Sequence, residues 1–404
     1  MNGKLKICII ASTYPRYPDD TAVPWLRESV RRLVNRGHTV SIIAPSFKGL
    51  KDHYIDGVKV NRFRYAPRSW ETLTHDEGAP NKIKNKAYQL LGLPYILSGA
   101  LLSIRLALRE NYDVINANWP FPHVMIAWPA AKLTRTKLVA TCHGAELALA
   151  RRKDWVRRIL RWALQVCDRI ICNSSHTANE VYKICGCQSE VIPYGATVEV
   201  RESQAEKVDR PMVLFVGRLI QRKGVDYLIR AASLISQEKD VEVIITGDGD
   251  CRKELEHLTD SLGLRSHISF RGIVSSDELG KLYRTCDIFV LPAVHDDRGD
   301  TEGLGVVLVE ALMHQRPVVA SSVGGIVDVI KDGETGLLVP EKNPQAIADA
   351  ILRLINDPSL SRRLGRQGFE FAQKYFDWDE ITTHLENVFY SVVSKSSRSC
   401  QSKQ

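Results

Sequence analysis

Short runs of β-branched and other apolar residues alternate along most of the chain with longer stretches whose apolar residues recur every three or four positions. The first pattern is typical of buried strands and the second of amphipathic helices. In the first half the predicted strands are Lys6–Ala11, Thr39–Ala44, Val58–Phe63, Asp113–Asn116, Lys137–Thr141, Arg169–Cys172 and Glu190–Ile192. The pattern then restarts, and the predicted strands are Met212–Val216, Val241–Thr246, His267–Phe270, Ile288–Leu291, Pro317–Ala320 and Leu337–Val339.

Strands that alternate with helices predict right-handed βαβ units and therefore parallel sheets. Two such series predict an α/β protein with two doubly wound, Rossmann-like domains. We place them at residues 1–198 and 205–376, on either side of the polar stretch Glu199–Asp209. Helical spacing over residues 377–395 predicts a helix that packs back on the first domain. Because open parallel sheets bind ligands beyond the carboxyl ends of their strands, we expect the site in a cleft between the domains.

Composition favours a soluble globular protein, since 44% of the 404 residues are hydrophobic and 25% are charged. The nine cysteines are odd in number and scattered, which indicates reduced thiols in the cytoplasm and no disulfide framework. Cys185 and Cys187 lack a second pair at ligand spacing, so no structural zinc site is predicted. The apolar run near the N-terminus is too short for a signal peptide and has no cleavage site, so no signal peptide is predicted.

The apolar segment Leu90–Ile104 is uncharged but contains Gly92, Pro94 and Gly99. It is shorter than the ~20 residues that span a bilayer. We interpret it as a core helix in preference to a membrane contact.

Charge is unevenly distributed between the two halves. Residues 1–200 carry 29 lysines and arginines against 16 aspartates and glutamates, whereas the remaining residues carry 26 against 31. A basic half predicts an anionic partner for the first domain. No recognition motif or aromatic platform for nucleic acid accompanies it, so a nucleic-acid partner is not expected.

Residues 151–166 form a basic amphipathic segment. Its apolar stripe contains Trp155, Ile159, Trp162 and Val166, and its basic face contains Arg157, Arg158 and Arg161. A basic helix with tryptophan is suited to an anionic membrane surface. An ordinary helix with its apolar side in the core is the equal alternative, and the segment alone does not decide between them.

The strongest candidate for chemistry begins at Asp300, directly after the predicted strand Ile288–Leu291 and its polar loop. Gly303 and Gly305 stand there at a loop-to-helix junction. Glycine lets backbone N–H groups approach a ligand closely, and a helix N-terminus favours phosphate.

Two carboxylates accompany this junction. Glu302 precedes the helix and Glu310 follows eight positions later, at most ~12 Å away along a helix. One carboxylate could therefore reach sugar hydroxyls and the other ribose hydroxyls. The alternative is a solvent-facing helix start with an incidental second glutamate.

Further polar groups end the neighbouring strands of the second half. Arg218 and Lys223 follow Gly217 on a glycine-bounded loop, where a guanidinium and an ammonium suit a diphosphate. Two further strand ends, one with Gly247 and Asp248 and the next with Arg271 and Ile273, suit a nucleobase or ribose. No GxGxxG motif stands on a first βα turn, which disfavours a hydride-transfer dinucleotide site.

These segments together resemble the family 4 glycosyltransferases, which are retaining enzymes with the GT-B fold. The resemblance rests on residues 302–310, 316–326 and 332–340, on 216–224, and on Ile192-Pro-Tyr-Gly195. It implies that Arg218 and Lys223 bind the donor diphosphate and that Glu302 holds sugar hydroxyls. It further implies that Glu310 holds the ribose, that Ile273 meets the base through its backbone, and that backbone contacts come from Gly303, Leu304, Gly305 and Val306.

The first half carries the same resemblance at Asp113–Trp119 and Ala140–Glu146. It implies that His143 reaches the transferred sugar; a satisfied core histidine is the alternative. His123 and His176 are interpreted as structural. The first loop of the family often carries a Gly-Gly pair, which is missing here, and contact by Thr21–Ala22 or Arg16 is only a guess.

The sequence therefore predicts a retaining hexosyltransferase with His143, Glu302, Arg218 and Lys223 as catalytic residues. The expected donor is a GDP- or UDP-sugar, and neither a cofactor nor a metal is expected. A lipid-linked or oligosaccharide acceptor is expected at the cytoplasmic membrane face. A nucleotide-sugar 2-epimerase of the same architecture and a non-catalytic nucleotide-sugar binder are the alternatives.

Overall fold

The computed structural model describes residues 3–20, 22–74, 86–198 and 210–401, with side chains omitted for 86–87 and 395–401. Thr21 and the polar stretch Glu199–Asp209 lie outside the described residues. The chain forms two compact units, Met1–Ile192 with Asp379–Gln404, and Pro193–Trp378.

The division falls a few residues away from the predicted boundaries at 198 and 376. The segment after Ile192 packs on the end of the second unit, because a Cβ at Gly195 would meet the Trp378 indole and the Phe376 carbonyl. Trp378 Nε1 also donates a hydrogen bond to the Ala196 carbonyl at 2.7 Å. These contacts place residues 193–198 with the second unit.

The first unit contains an eight-stranded sheet. Its strands are β1 (Lys6–Ile10), β2 (Thr39–Pro45), β3 (His53–Ile55), β4 (Val58–Phe63), β5 (Val114–Asn118), β6 (Lys137–Cys142), β7 (Arg169–Cys172) and β8 (Glu190–Val191). Its helices are α1 (Pro24–Asn35), α2 (Lys86–Leu90), α3 (Gly92–Glu110), α4 (Pro120–Thr134), α5 (Ala145–Arg152), α6 (Asp154–Gln165) and α7 (Ser175–Cys185), with a 3₁₀ turn at Arg68–Trp70.

The strand order is β3-β4-β2-β1-β5-β6-β7-β8, and every pair except β3–β4 is parallel. The order reverses between β1 and β5, which is where a doubly wound sheet opens for a ligand. β1, β5 and β6 are buried almost throughout, because helices cover both faces of a parallel sheet.

The second unit contains a six-stranded sheet. Its strands are β9 (Met212–Val216), β10 (Glu242–Thr246), β11 (Ile268–Gly272), β12 (Ile288–Leu291), β13 (Val318–Ser321) and β14 (Leu337–Val339). Its helices are α8 (Val225–Ile235), α9 (Arg252–Ser261), α10 (Ser276–Thr285), α11 (Val306–Met313), α12 (Ile326–Val329), α13 (Pro344–Asn356) and α14 (Pro358–Tyr375), with a 3₁₀ turn at Gln221–Lys223. The order β11-β10-β9-β12-β13-β14 is wholly parallel and reverses between β9 and β12.

The last helix, α15 (Trp378–Gln401), starts at the end of the second unit and belongs from Asp379 onward to the first. Arg36 of the first unit donates to Glu386 at 2.7 Å, and His38 lies 2.7 Å from the same carboxylate. Phe389 is fully buried. Ion pairs on one side and apolar burial on the other hold this helix on the first unit.

The prediction of an α/β fold with two parallel-sheet domains is confirmed, and each predicted strand overlaps an observed one. Sequence reasoning missed β3, the antiparallel edge strand. Asp56 and Gly57 connect it to β4 and both have positive φ, as in a two-residue hairpin turn. This Asp-Gly pair was a readable signal, but a three-residue strand is too short for a clear periodicity.

The basic helix α6 differs from its predicted pattern. Its core face consists of Val156, Leu160, Ala163 and Leu164. Trp155 and Trp162 are instead 55% and 38% exposed. The helix therefore has an ordinary core side and, separately, an outward tryptophan and arginine surface.

The interpretation of Leu90–Ile104 as a core helix holds for one face only. Tyr95, Gly99 and Ser103 of α3 are buried, whereas Leu97 and Leu101 are exposed. Within the described residues, one helical stretch, Tyr88–Glu110, is long and apolar enough by length and composition to cross a membrane, and 28% of its most apolar 18-residue window is buried.

Candidate active site

Three glycines stand at the carboxyl ends of adjacent strands in the second unit. Gly217 follows β9, Gly247 follows β10 and Gly272 ends β11, and all three have positive φ. Their loops are joined by hydrogen bonds from Gly217 N to the Thr246 carbonyl (3.1 Å) and from Gly247 N to the Gly272 carbonyl (2.7 Å). A Cβ at Gly247 would collide with the Gly217 carbonyl. Only glycine allows the strand ends to approach this closely and leave backbone exposed.

Beside Gly217, a buried ion pair joins Lys223 to Glu302. Lys223 Nζ contacts Glu302 Oε2, and both residues are at most 8% exposed. Arg222 Nη1 reaches the same carboxylate oxygen at 3.2 Å, and its Nε lies 3.8 Å from Asp300. Burial alone would raise the pKa of Glu302, but Lys223 and Arg222 lower it to about 2. The carboxylate is therefore ionised at neutral pH.

Arg218 is the unpaired cation of this group. The side chains of the described residues offer it no hydrogen bond or ion pair, and its surface is exposed. Partial desolvation and the neighbouring charge of Arg222 lower its pKa from the usual value. Glu302, Asp250 and Asp300 act on its charge without pairing with it. A guanidinium next to another cation, with no carboxylate bound to it, is suited to an incoming anion.

The loop before α11 is held rigidly. The Gly325 N–H donates to the Glu302 carbonyl at 2.9 Å, and a Cβ at Gly324 would collide with that carbonyl. Gly305 has φ +84° and precedes the first helical residue, Val306. Leu304 is 2% exposed, so its side chain packs in the core beside this loop. The N-terminus of α11 thus adjoins the ion pair with its N–H groups directed away from the helix.

Glu310 lies within α11 and is 4% exposed. Thr197 Oγ1 donates to its Oε1 at 2.8 Å, and Tyr283 donates to its Oε2 at 2.9 Å. The Thr197 N–H also donates to Oε1, at 3.4 Å. Burial raises the pKa of Glu310, and these three hydrogen bonds partly offset this. Oε1 therefore accepts two bonds and Oε2 one, which leaves Oε2 as the acceptor open to a further donor.

Asp248, Arg271 and Ile273, which were also predicted to bind the donor, lie at the strand ends but do not contact the cations around Glu302. Asp248 and Arg271 are exposed, and Asp248 lies 3.5 Å from Arg252. Ile273 is 83% exposed directly after β11. An isoleucine this exposed leaves both its side chain and its backbone open to a planar group.

In the first unit, His143 follows β6 at the carboxyl edge of the sheet. Its ring contacts those of Trp119 and Trp25, with centroids 4.3 and 4.7 Å away, and the two indoles contact each other at 5.7 Å. Its Nε2 lies 3.0 Å from Asn118 Oδ1, which only accepts, so Nε2 carries the proton. Burial and then His123 lower the pKa of His143 to about 3. The histidine is therefore a neutral hydrogen-bonding group.

The structural interpretation of His123 agrees with its contacts. Its Nε2 lies 3.0 Å from the Tyr95 hydroxyl and its Nδ1 lies 2.9 Å from the Trp119 carbonyl. In the first loop, Arg16 is paired with Asp20 at 2.7 Å. Ala22 N also donates to Asp20, so the loop is organised around this carboxylate instead of a Gly-Gly pair.

Models of known families match both units. The model described as "Glycosyltransferase Family 4" matches residues 25–200, and "Glycosyl transferases group 1" matches residues 197–371. The chain belongs to the glycosyltransferases that these two models together describe. Its fold is GT-B: a sucrose-phosphate synthase from Thermosynechococcus elongatus superposes with a TM-score of 0.77 over 97% of this chain and 100% of its own, at 21% identity.

Two curated relatives extend over nearly the whole glycosyltransferase. An uncharacterized glycosyltransferase of Methanocaldococcus jannaschii is 29% identical over 86% of this chain and 96% of its own. The GDP-mannose-dependent alpha-(1-6)-phosphatidylinositol monomannoside mannosyltransferase of Mycobacterium tuberculosis is 27% identical over 89% and 92%.

Two residues of this glycosyltransferase were not assigned a role from the sequence. Arg222 bridges Glu302, Asp300 and the Thr301 carbonyl. Glu146 accepts the His143 N–H at 2.8 Å, while its Oε2 is buried with no partner among the described residues. Burial raises the pKa of Glu146 to about 7. Arg222 was readable as a third cation on the same loop, whereas Glu146 reads as an ordinary first-turn helix residue.

No group of three or more histidine, cysteine, aspartate or glutamate side chains suited to a metal occurs within the part of the chain that the structure describes. Asp296 and Asp300 lie in one loop, where Asp296 Oδ1 accepts backbone N–H groups of Arg298 and Asp300 at 2.9 Å. That oxygen therefore organises the loop.

Proposed function

We propose that this glycosyltransferase moves a hexosyl unit of the mannose, glucose or N-acetylglucosamine type from a GDP- or UDP-sugar to a lipid-linked or glycan acceptor, with retention of configuration. One observation carries the proposal. Two cations, Arg222 and Lys223, contact one buried carboxylate, Glu302, and the charge of a third cation, Arg218, acts on it from nearby. Their excess positive charge suits a nucleoside diphosphate.

In the proposed donor complex, Arg218, Lys223 and the N-terminus of α11 bind the diphosphate. Glu302 accepts hydrogen bonds from sugar hydroxyls, and Lys223 and Arg222 keep it ionised for that purpose. Glu310 binds the ribose, and the backbone at Ile273 meets the base. The printed GDP-mannose dependence of the mycobacterial relative supports a nucleoside-diphosphate donor.

Chemically, the protein would stabilise the leaving group. The bond between sugar C1 and the diphosphate oxygen breaks, and the positive groups stabilise the charge that develops on the departing diphosphate. The charges of the protein make a metal unnecessary in this scheme, so we expect turnover to persist in EDTA. His143, being neutral, contributes a hydrogen bond and not a proton.

Retention is proposed to follow from attack on the same face. The acceptor hydroxyl oxygen forms the new bond to C1 on the side from which the diphosphate leaves, and its proton passes to a departing phosphate oxygen. Glu302 is unsuited as a covalent nucleophile because Lys223 and Arg222 already engage it. Isolation of a glycosyl-enzyme adduct with a slow substrate would refute this scheme.

The acceptor proposal rests on the first unit, which is basic and carries the exposed tryptophans of residues 151–166. We place the reaction at the cytoplasmic membrane face, with the protein bound peripherally. The mycobacterial relative is named for a phosphatidylinositol monomannoside acceptor, which supports a lipid-linked substrate here.

The test begins with thermal-shift measurements against GDP, UDP, ADP and their sugars. The stabilising donor is then incubated with and without lipid-linked acceptors, and the anomeric configuration of the product is read by NMR. Transfer with retention supports the proposal. Conversion of the donor sugar to its epimer without an acceptor would instead identify a 2-epimerase, and binding without either reaction would identify a non-catalytic binder.

A further inference from the structure

Helix α3 carries an exposed stripe of leucines. Leu93, Leu97, Leu101 and Leu108 are 66%, 54%, 69% and 57% exposed, and Leu90 just before the helix is 78% exposed. The first three recur every four positions, so they share one face and span about 12 Å of helix. A surface helix of a soluble domain normally turns polar residues outward, and here the outward face is apolar.

The opposite face of α3 is fixed in the protein. Gly99 approaches α4 so closely that a Cβ would lie 2.8 Å from Ile126 Cδ1. Tyr95 is buried and contacts Phe63 with ring centroids 5.0 Å apart. Because one side of α3 belongs to the core, the helix would lie in a membrane surface and not cross it.

The exposed tryptophans of α6 lie on a helix that is connected to α3 through α4. α3 packs on α4, and α4 packs on α6. The exposed Trp162 of α6 meets Trp128 of α4 with centroids 5.6 Å apart, and Trp155 meets Phe121 at 5.8 Å. Indole rings with one apolar side and one wet side are typical of the boundary between lipid tails and headgroups.

Cations border the tryptophans. Arg157, Arg158 and Arg161 are exposed and line a shallow pocket of about 410 Å³ together with Lys183. The part of the chain that the structure describes offers these three arginines no ion pair, whereas Arg151 nearby is paired with Glu180 at 2.7 Å. Three exposed guanidinium groups with no ion pair, next to the exposed tryptophans of the same helix, favour an anionic partner.

We infer that the leucine stripe of α3 is the apolar anchor by which this protein binds anionic lipid bilayers, with the arginine pocket of α6 holding lipid phosphate groups. The inference deepens the proposed membrane location of the acceptor and rests on the proposed function to that extent. A second copy of the chain fits this surface less well, because a symmetric contact would bring like-charged arginine clusters together. An anionic bilayer supplies both the apolar phase and the counter-charge.

The test is co-sedimentation of the full chain with two kinds of vesicle. One contains phosphatidylcholine alone, and the other contains about 30% phosphatidylglycerol, which gives the surface a negative charge. We expect binding to the anionic vesicles that weakens with salt. The triple variant Leu93→Gln/Leu97→Gln/Leu101→Gln is expected to bind at least ten-fold more weakly at any salt concentration. Arg157→Gln/Arg158→Gln/Arg161→Gln is expected to lose about 100-fold, at roughly five-fold per arginine, and most of the salt dependence.

Matched controls change the same chemistry elsewhere. Leu262→Gln removes an exposed leucine, and Arg362→Gln/Arg363→Gln/Arg366→Gln removes three exposed arginines from α14 of the second unit. Both controls should keep vesicle binding within about two-fold of the unchanged chain, since they leave the α3–α6 surface intact. Thermal unfolding and donor-induced thermal shifts confirm that every variant is folded.

Absence of wild-type binding to anionic vesicles, or leucine and arginine variants that bind like wild type, would overturn the inference. So would a wild-type dimer by light scattering that the leucine variant converts to monomer without loss of vesicle binding. If vesicle binding fails while nucleotide-sugars still shift the melting temperature, this inference fails and the donor proposal stands. If the chain binds vesicles but no nucleotide-sugar, the donor proposal fails and this inference stands.

Discussion

The candidate groups of the two units handle charge in opposite ways. Around Lys223 and Glu302, buried groups are ionised and compensate one another, with positive charge in excess. Around His143, buried groups avoid charge: the imidazole is neutral and contacts two indoles, and burial raises the pKa of Glu146 to about 7. The difference suits the Lys223 group of the second unit to an anionic partner and the His143 group of the first unit to an uncharged hydrogen-bonding partner.

Removing the central cation should have the largest effect. Lys223→Ala is expected to lower kcat/KM by about 10³-fold, because it removes a diphosphate ligand and leaves Glu302 with Arg222 alone. This loss of kcat/KM is measured in steady-state transfer assays, with the donor that the thermal-shift measurements identify. Lys281→Ala, an exposed lysine on α10, is the matched control.

Breaking a buried ion pair also destabilises a fold by about 3–5 kcal/mol. The paired replacement Lys223→Met/Glu302→Gln therefore serves as a second variant that leaves no buried charge unpaired. It should unfold at a higher temperature than Lys223→Ala and remain inactive. Near-normal turnover in either variant would show that Lys223 and Glu302 do not belong to the active site.

The unpaired cation should come next. Arg218→Ala is expected to reduce kcat/KM by about 10²-fold and to leave the melting temperature unchanged, since Arg218 has no partner to lose among the described residues. Arg218→Lys should recover part of the activity, because it keeps the charge and loses the fork geometry. A destabilised Arg218→Ala protein would show that Arg218 has a structural role instead.

The neutral site predicts a smaller effect and a characteristic pH profile. His143→Ala should reduce kcat/KM by about 10–100-fold, which is the scale of a lost hydrogen bond to a polar substrate. Since the pKa of His143 is lowered to about 3, it stays neutral above about pH 4, so its loss should not change the pH profile between 5 and 8. A change in kcat/KM around pH 6.5 that is lost in His143→Gln would contradict the prediction that His143 is neutral.

The smallest effect on turnover is expected at Glu146, whose replacement acts on stability. Its pKa is raised in the folded chain from 4.5 to about 7, so the folded state binds more protons than the unfolded state between these values. The stability that this group contributes is present below pH 4.5 and is lost as the pH rises through 7, by about 3 kcal/mol. Glu146→Gln should keep the hydrogen bond from His143 and remove this slope in urea unfolding from pH 5 to 8. An unchanged slope would show that Glu146 ionises normally.

Much of the candidate site in the second unit was predictable, because strands and the loops that follow them are recognised from local sequence patterns. Arg218, Lys223 and Gly217 follow β9 in sequence, so their common position at a strand end is a consequence of the parallel sheet. The ion pair between Lys223 and Glu302 was not predictable, because 79 residues separate them. Each was expected to bind substrate, and only the packing of β9 beside β12 brings them into contact.

The sequence by itself determined the fold class, the two strand series and the residues that end the strands, because periodicity and glycine preferences act over a few residues. Only the tertiary structure decided which groups are charged and which apolar residues face outward. The neutral state of His143 depends on Trp25 and Trp119, and the exposure of the α3 leucines depends on which face Gly99 turns toward α4. Ionisation and exposure are set by atoms distant in the chain, which local patterns do not contain.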